Sequence, residues 1–521
     1  MKNYSSGLTG RNQHKLIFGR TDMVKNNAGG YVFEITPQEM LERFLLIGTE
    51  GGTYYVGEEK LTEENAKNIL KLIKKDGIKV VETVVDFAVN NRAPKADAGL
   101  FVLALAASFG NQETKNAAYQ AVSTVTRTST HLFTFLANIQ NLRGWSRGLR
   151  KAVARFYTSK NVDQLAYQLV KYRNRAGFTH ADALRLSHPK TEDALKNQLF
   201  KFAVGKAKES EVENTLIQSY GKAQTAKGKD LLAAIKEGKL TWEMIPTSEL
   251  NDPEVLKFLL PNMPLVALVR NLNRFAKADL TKGNSPTTKA IVQKLTNEEF
   301  VQKSGMHPVN VINSMLTYSS GYGVKGGSSW PVNQNIVDAL QTTYELSLKT
   351  IIPTGKKILI GVDISGSMNS PVNGMQMSAA QIANVLAVTI LKTEKNAEMV
   401  WFDTNLSTPT FGRRTSIDEV LKNSPCGGGT DCAQPIVYAA NNLESYDAIL
   451  ILTDTETWAG PRHGIEVLQS YRRTVNKDVK VIEIAMVSNG TSTMPDNDKN
   501  LLRVVGFDAT VVNVINKYLA E

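Results

Sequence analysis

Cysteine is nearly absent. Cys426 and Cys432 are the only two in 521 residues, and both lie in one glycine-rich stretch. Two thiols cannot staple a chain of this length, so a disulfide scaffold is excluded. Without histidine neighbours they also make a poor zinc site. Both are expected to be reduced, as in a cytosol. Long apolar runs are lacking as well. Nothing approaches the ~18 consecutive apolar residues that suggest a membrane helix. The opening "MKNYSSGLTGRNQHKL" has no apolar segment of the secretory kind. These absences point to a cytoplasmic protein that does not enter a membrane. Negative charge is also short: 61 Lys and Arg face 50 Asp and Glu, a balance of +11.

The excess is uneven. Residues 354–521 hold 15 basic and 18 acidic residues, and the remainder holds 46 and 32. The positive field therefore belongs to the N-terminal two-thirds. Such a field favours a polyanion, either nucleic acid or an anionic membrane surface. A merely solvated basic surface fits the count equally well. The length exceeds what one hydrophobic core fills, so two or more domains are expected.

From about residue 38 to 350 the pattern is helix after helix. "TEENAKNILKLIKKDG" sets Ile69, Leu72 and Ile73 on one face, with Gly77 as a stop. "IKVVETVVDFAVNN", "ADAGLFVLALAASFG" and "ETKNAAYQAVSTVTR" continue the rhythm. Helix pairs recur roughly every 35 residues, which suits a helical-repeat solenoid. Past Pro353 the texture changes. Strands are expected at "KKILIGVDI", "AEMVWFD", "DAILILTD" and "KVIEIAMV", with helices at "SAAQIANVLAVTILKTE", "AQPIVYAANNLE" and "GIEVLQSYRRTVN". Near-continuous apolar strands alternating with helices predict a parallel, doubly wound α/β domain. The expected boundaries are 1–353 for the helical module and 354–521 for the α/β domain.

Ligands of doubly wound domains bind outside the carboxyl ends of the strands. Three loops concentrate oxygen side chains there. "GVDISGSM" places Asp363, Ser365 and Ser367 after the first strand. "PCGGGTDC" carries Thr430 and Asp431. "LTDTETW" ends a buried strand on Asp454. Few charges and several hydroxyls suit a hard divalent cation, Mg²⁺ foremost. Helix capping by Ser and Asp would explain one such loop; it does not explain three. A phosphatase of the haloacid type would need an acid two residues after Asp363, where Ser365 stands. No nucleophile–base pair is evident, so no catalytic residues are expected. The set Asp363, Ser365, Ser367, Thr430 and Asp454 resembles the metal-ion-dependent adhesion site of von Willebrand factor A domains. That resemblance implies metal contacts from Ser365, Ser367 and Thr430. It implies aspartates acting directly or through water, and one position open to an acidic protein ligand.

Longer segments carry a second resemblance. "NAGGYVFEIT", "RFLLIGTEGGTYYVGEEKLTEENA", "STHLFTF", "GWSRGLRKAVARFY", "RAGFTHADALRLSHPK", "MPLVALVRNLNRF", "MHPVNVINSML", "PTGKKILIGVDISGSM" and "FDATVVNVINKY" are similar to the Ro autoantigen family, whose helical module is called TROVE. The likeness runs from about residue 26 to the C-terminus, leaving the first ~25 residues unaligned. It implies a multidomain chain: an α-helical ring of HEAT-like repeats plus the von Willebrand factor A domain. It further implies a monomer that binds small noncoding Y RNA on its outer surface. Single-stranded ends of misfolded RNA would enter a central cavity, in RNA quality control. An exoribonuclease, polynucleotide phosphorylase, would be a partner through Y RNA. By the same resemblance Lys171, Arg175 and His188 match Y RNA contact positions.

The residues themselves agree in sign. "KYRNRAGFTHADALRLSHPK" also contains Arg173, Arg185 and Lys190, with His180 a candidate helix-cap residue. Lys171 and Arg175, four apart, would share a face of one helix. "RGWSRGLRKAVARFY" sets Arg147, Arg150 and Lys151 on one helical face. They could line RNA or pair with acids of a neighbouring helix. An adaptor that grips an acidic partner through the metal, with the helical part as scaffold only, is the alternative reading.

Overall fold

The computed structural model describes residues 12–49, 53, 56, 58–93, 95–323, 327–348, 353–372, 377–496, 498–505, 514–515 and 517–519. The segment "FDATVVNVINKY" lies mostly outside them. The chain forms two compact units. One gathers Met1–Ile69, His307–Leu316 and Ser347–Glu521; the other gathers Leu70–Met306 and Thr317–Leu346. These units do not divide at Pro353. The N-terminal residues expected to go with the helical module belong, by contact, to the α/β unit.

The reason is visible from residue 23 onward. Strands β1 (Met23–Lys25) and β2 (Tyr31–Glu34) form a hairpin. Its turn is closed by Asn26, whose N–H donates to the Gly30 carbonyl at 2.8 Å and whose side-chain Oδ1 accepts from the Gly30 N–H at 2.8 Å. Met23 and Phe33 insert into the same apolar cluster as Leu359, Ile449 and Ile451 of the main sheet. Helix α1 (Pro37–Ile47) follows, started by Pro at its first turn and by a reciprocal Thr36–Glu39 capping box.

The helical unit is built by local packing. Helix α2 (Glu58–Val89) carries a kink at Asp76, so the stop expected at Gly77 appears as a bend. Gly77 is needed there because the Thr114 side chain packs onto its Cα. Next come α3 (Asp97–Phe109), α4 (Gln112–Val125), α5 (Ser129–Leu142), α6 (Arg147–Thr158) and α7 (Val162–Lys171). A two-residue hairpin, β3 (Asn174–Arg175) and β4 (Phe178–Thr179), leads into α8 (His180–Ser187). Each helix packs on the next or next but one: α3 on α4 and α5, α4 on α6, α6 on α8. That is the contact pattern of helical repeats.

The α/β unit supplies β5 (Ile358–Asp363), β6 (Ala397–Phe402), β7 (Leu406–Ser407), β8 (Ala448–Thr453), β9 (Lys480–Ala485), β10 (Thr491–Ser492) and β11 (Leu501–Val505). Six of these form one sheet in the order β11-β9-β8-β5-β6-β7, parallel except at the β7 edge. β5 and β8 are buried at every residue, which explains their unbroken apolar sequence. The chain goes from β5 to β6 on one side and later to β8 on the other. Strand order therefore reverses between β5 and β8, and this is the switch point where such sheets hold ligands. β10 leaves the main sheet and pairs with β2.

Arg43 of α1 and Glu483 of β9 are both buried, 3.6 Å apart. Arg43 also donates to the Thr491 carbonyl at 2.7 Å and to Asn489 Oδ1 at 3.0 Å. Glu483 accepts from the Thr493 amide at 2.7 Å and hydroxyl at 2.6 Å. Arg43→Leu is expected to cost about 3–5 kcal/mol, because it strands a buried carboxylate. Adding Glu483→Gln should recover much of that loss in urea unfolding. An equal loss in the double variant would assign the effect to packing rather than charge.

Candidate metal centre and nucleic-acid interface

Asp363 closes β5 and Asp454 follows β8, so both carboxylates emerge at the switch point. Asp363, Ser365, Ser367, Thr430 and Asp454 are all buried. Asp363 Oδ1 accepts from the Ser365 N–H at 2.9 Å, and Oδ2 from the Thr453 hydroxyl at 2.6 Å. The hydroxyls of Ser365 and Ser367 lie 3.2 Å apart, and Ser367 hydrogen-bonds Asp454. The second loop is stitched to the first, Gly427 N–H to Ile364 O at 2.7 Å and Gly366 N–H to Gly428 O at 3.1 Å. The third loop holds Thr430 through two amides, Trp458 and Ala459, which donate to its carbonyl at 3.0 and 2.9 Å. The fold thus brings the three sequence-identified loops together.

Burial and the neighbouring Asp454 push the Asp363 carboxyl up to about 7, and burial raises Asp454 as well. Among the described residues no Lys or Arg side chain pairs with either. Buried carboxylates side by side call for a cation. Among the described residues no three His, Cys, Asp or Glu side chains converge. What is present here is two carboxylates linked with the hydroxyls of Ser365 and Ser367, and Thr430 on the adjoining loop, an all-oxygen set that fits a hard divalent ion and not a soft one. Asp431 is otherwise engaged. It accepts from the Ala433 amide at 3.1 Å and from the side-chain amides of Gln434 at 2.7 Å and Gln13 at 2.8 Å. Both cysteines are free. Cys426 donates to the Ser365 carbonyl at 3.0 Å, and burial plus the two carboxylates push its thiol up to about 11.

Sequence reasoning missed the groups that hold these loops. Gln13 donates to Asp431 and to the Arg462 carbonyl at 2.8 Å, and accepts from the Thr457 hydroxyl at 2.8 Å. Asn26 donates to the Thr457 carbonyl at 2.8 Å. Asn27 donates to Glu456 at 2.7 Å. Asn489 donates to the Asp454 carbonyl at 2.7 Å. Only Asn27 falls in a segment that carries a resemblance, "NAGGYVFEIT", and nothing in that segment marks it as a loop anchor. All of these are turn-type residues more than 400 positions from their partners, except Asn489, which is 35 away.

In the helical unit, α6 exposes Arg147, Arg150, Lys151 and Arg155. Among the described residues none of the four has an ion-pair partner. Buried Leu149, Ala152, Val153, Phe156 and Tyr157 form the opposite face. α6 packs on α8, and α8 on β4, so Arg175 on β3 and His188 at the end of α8 belong to the same part of the unit. Both are exposed.

Three expectations change. Lys171 and Arg175 do not share a helix: α7 ends at Lys171, and Arg175 sits in the hairpin, whose turn residues Ala176 and Gly177 have φ of 50° and 80°. Lys171 is also not a free cation. It donates to the Tyr167 hydroxyl at 2.7 Å, lies 3.5 Å from Glu243, and stands over the rings of Tyr167 and Tyr172. His180 is no cap either. Thr179 caps α8, and His180 is a core residue bonded to the Tyr157 hydroxyl at 2.9 Å and to the Gln168 and Tyr172 carbonyls. Arg173 bonds the Tyr220 hydroxyl at 2.9 Å, and Arg185 the Val204 carbonyl at 3.1 Å.

Burial pulls His180 down to about 4, from an unfolded value near 6.5. A depressed histidine gives stability that is full above ~6.5 and is lost as pH falls toward 4. The helical unit should lose roughly 3 kcal/mol across that window. His180→Gln should flatten the profile; an unchanged slope would place the titration elsewhere.

Comparison with known proteins agrees with this geometry. A TROVE domain profile matches residues 24–238 and 233–320, and a Ro60 vWA domain profile matches residues 357–519. The chain is 33% identical over 506 residues to the RNA-binding protein RO60 of Deinococcus radiodurans, covering 95% of each. It is 30% identical over 579 residues to the RNA-binding protein RO60 of Caenorhabditis elegans, covering 95% of this chain and 90% of the relative. The crystal structure of the Deinococcus radiodurans RO (RSR) protein superposes with a TM-score of 0.70 at 32% identity, over 93% of this chain and 99% of that one. A helical repeat unit, an α/β domain with its oxygen-lined switch point, and likeness along nearly the whole length meet in one conclusion: the chain belongs to the Ro family of TROVE-domain proteins.

Proposed function

We propose that this chain is a non-catalytic RNA-binding protein that holds a small structured noncoding RNA of the Y RNA type and serves RNA quality control. The observation that carries the reading is the exposed set Arg147, Arg150 and Lys151 on α6, without ion-pair partners among the described residues, in the same part of the unit as Arg175 and His188. Cations spaced along one face meet successive phosphates and give affinity without reading sequence. The names of the relatives support the ligand class. In this reading the helical repeats close as a ring, single-stranded ends of misfolded RNA occupy its cavity, and the protein acts as a monomer in the cytoplasm. An exoribonuclease such as polynucleotide phosphorylase joins through the bound RNA.

The α/β domain serves a second role. Asp363, Ser365, Ser367, Thr430 and Asp454 would hold Mg²⁺, whose charge would offset the two carboxylates and attract an acidic group of a protein partner. The adaptor reading rests on this feature alone and does not account for the α6 face.

Filter binding of a hairpin RNA across a salt series tests the first role. Changing Arg147, Arg150 and Lys151 together to Ala should weaken binding and shallow the log–log salt slope by roughly 2–2.7, at ~0.7–0.9 per phosphate contact. Arg175→Ala should remove about one such contact. His188→Ser should weaken binding with little change of slope. Lys171→Ala should also leave the slope nearly unchanged, because its ammonium is already held by Glu243. An unaltered slope in the triple variant would overturn the phosphate-binding role of α6. For the metal, Asp363→Ala with Ser365→Ala should abolish the Mg²⁺ or Mn²⁺ binding heat in calorimetry while hairpin affinity stays unchanged. Metal affinity that survives the double change would move the site elsewhere.

A further inference from the structure

The helical unit contains a cavity of about 960 Å³ that the α6 face does not use. This volume is at the upper end of the ~300–1,000 Å³ usual for ligand pockets. It opens where the helix Gly228–Gly238 ends. Lys239 takes a left-handed conformation, φ 48°, and sends the chain into a single 3-10 turn, Trp242–Met244. Trp242 and Phe258 line the cavity, both half-buried. Lys236 and Lys239 line it too, exposed and without an ion-pair partner among the described residues. Two polar groups of the wall are sealed from solvent and have no hydrogen-bond partner among the described residues: the Thr241 hydroxyl and the Trp242 indole N–H. Thr241 stands at the start of the 3-10 turn yet makes no capping bond. Buried polar groups are normally satisfied, so two adjacent exceptions in a cavity wall single it out.

We propose that this cavity is a stacking pocket for an unpaired nucleobase of single-stranded RNA. The inference rests on the RNA-binding reading above and adds a site to it. A base offers flat apolar faces to Trp242 and Phe258. Its edge carries donors and acceptors that suit the unpaired wall groups after a side-chain rotation. The flanking phosphates meet Lys236 and Lys239. Base–aromatic stacking and backbone cations are the two devices by which proteins hold single strands without sequence preference. The location agrees. Glu243, next to Trp242, lies 3.5 Å from Lys171 at the end of α7, so the pocket adjoins the segment that leads into the β3–β4 hairpin. An acidic peptide would satisfy the lysines but would leave the two aromatic faces less well used.

The experiment uses the full chain and three probes: a 12-nucleotide oligouridylate, an abasic oligomer with the same phosphates, and a hairpin RNA. Trp242→Ala should weaken oligouridylate binding roughly 5- to 150-fold, the loss of one stacked base. It should leave the abasic oligomer and the hairpin unchanged. Trp242→Phe should keep most of the affinity. The surface pair Lys236→Ala and Lys239→Ala, which cannot disturb the core, should shallow the oligouridylate salt slope by about 1.4. A 4-thiouridine in the same oligomer should crosslink to the peptide that contains Trp242. Wild-type oligouridylate affinity and slope in both sets of variants, with hairpin binding intact, would overturn the pocket alone. No binding of any RNA to the unaltered chain would overturn the RNA reading itself.

Discussion

Asp363 ends one strand and Asp454 follows its parallel neighbour; the two are buried together, and among the described residues no cationic side chain pairs with them. Like charges in a low-dielectric site raise each other's proton affinity, so the local structure is organised around a charge it does not itself neutralise. Short donors compensate in part: the Ser365 amide, the Thr453 hydroxyl and Ser367. Beyond them a hydrogen-bonded lattice fixes the loops. Asn489 holds the Asp454 carbonyl, Asn26 the Thr457 carbonyl, and Gln13 ties Asp431 to Thr457. Groups preorganised at such a site spare a ligand the cost of ordering them.

Much of this was legible beforehand because the relevant signals are local. A buried strand that runs into Asp-x-Ser-x-Ser is readable in seven residues, and the strand–helix alternation gives the parallel sheet. The rest was not legible for a physical reason. β1, β2 and β10 are two to four residues long, too short for a period to register. Their partners are remote, Phe33 with Ser492. Asn and Gln in polar turns look alike whether they hold a distant loop or only their own. The N-terminal segment therefore read as a prelude to the helices, although its contacts are with the α/β domain.

In the basic segment the residue types were a better guide than their spacing. A four-residue interval implies a shared face only while the helix continues, and α7 stops at Lys171. Ala176 and Gly177, with successive positive φ, form a tight hairpin turn instead. Lys171 shows the second limit. Composition counts it with the positive field, yet its ammonium is taken up by Tyr167 and Glu243. On α6 the spacing held, because one apolar stripe fixes which way Arg147, Arg150 and Lys151 must face.

The glycine of the "GVD" triplet joins the sheet to the site. A Cβ on Gly361 would fall within the ring of Pro435, in the first turn of the helix Gln434–Asn441. That helix therefore sits against β5 only because residue 361 has no side chain. Its N-terminal end is fastened to Asp431 through the Ala433 amide and the Gln434 side chain, and Thr430 is the residue before. Any larger residue at 361 would lift the helix and carry Thr430 away from Asp363, two residues further along the strand. Gly361 sets the helix, Val362 fills the core, and Asp363 supplies the charge. Three consecutive residues of one strand thus position two of the three loops.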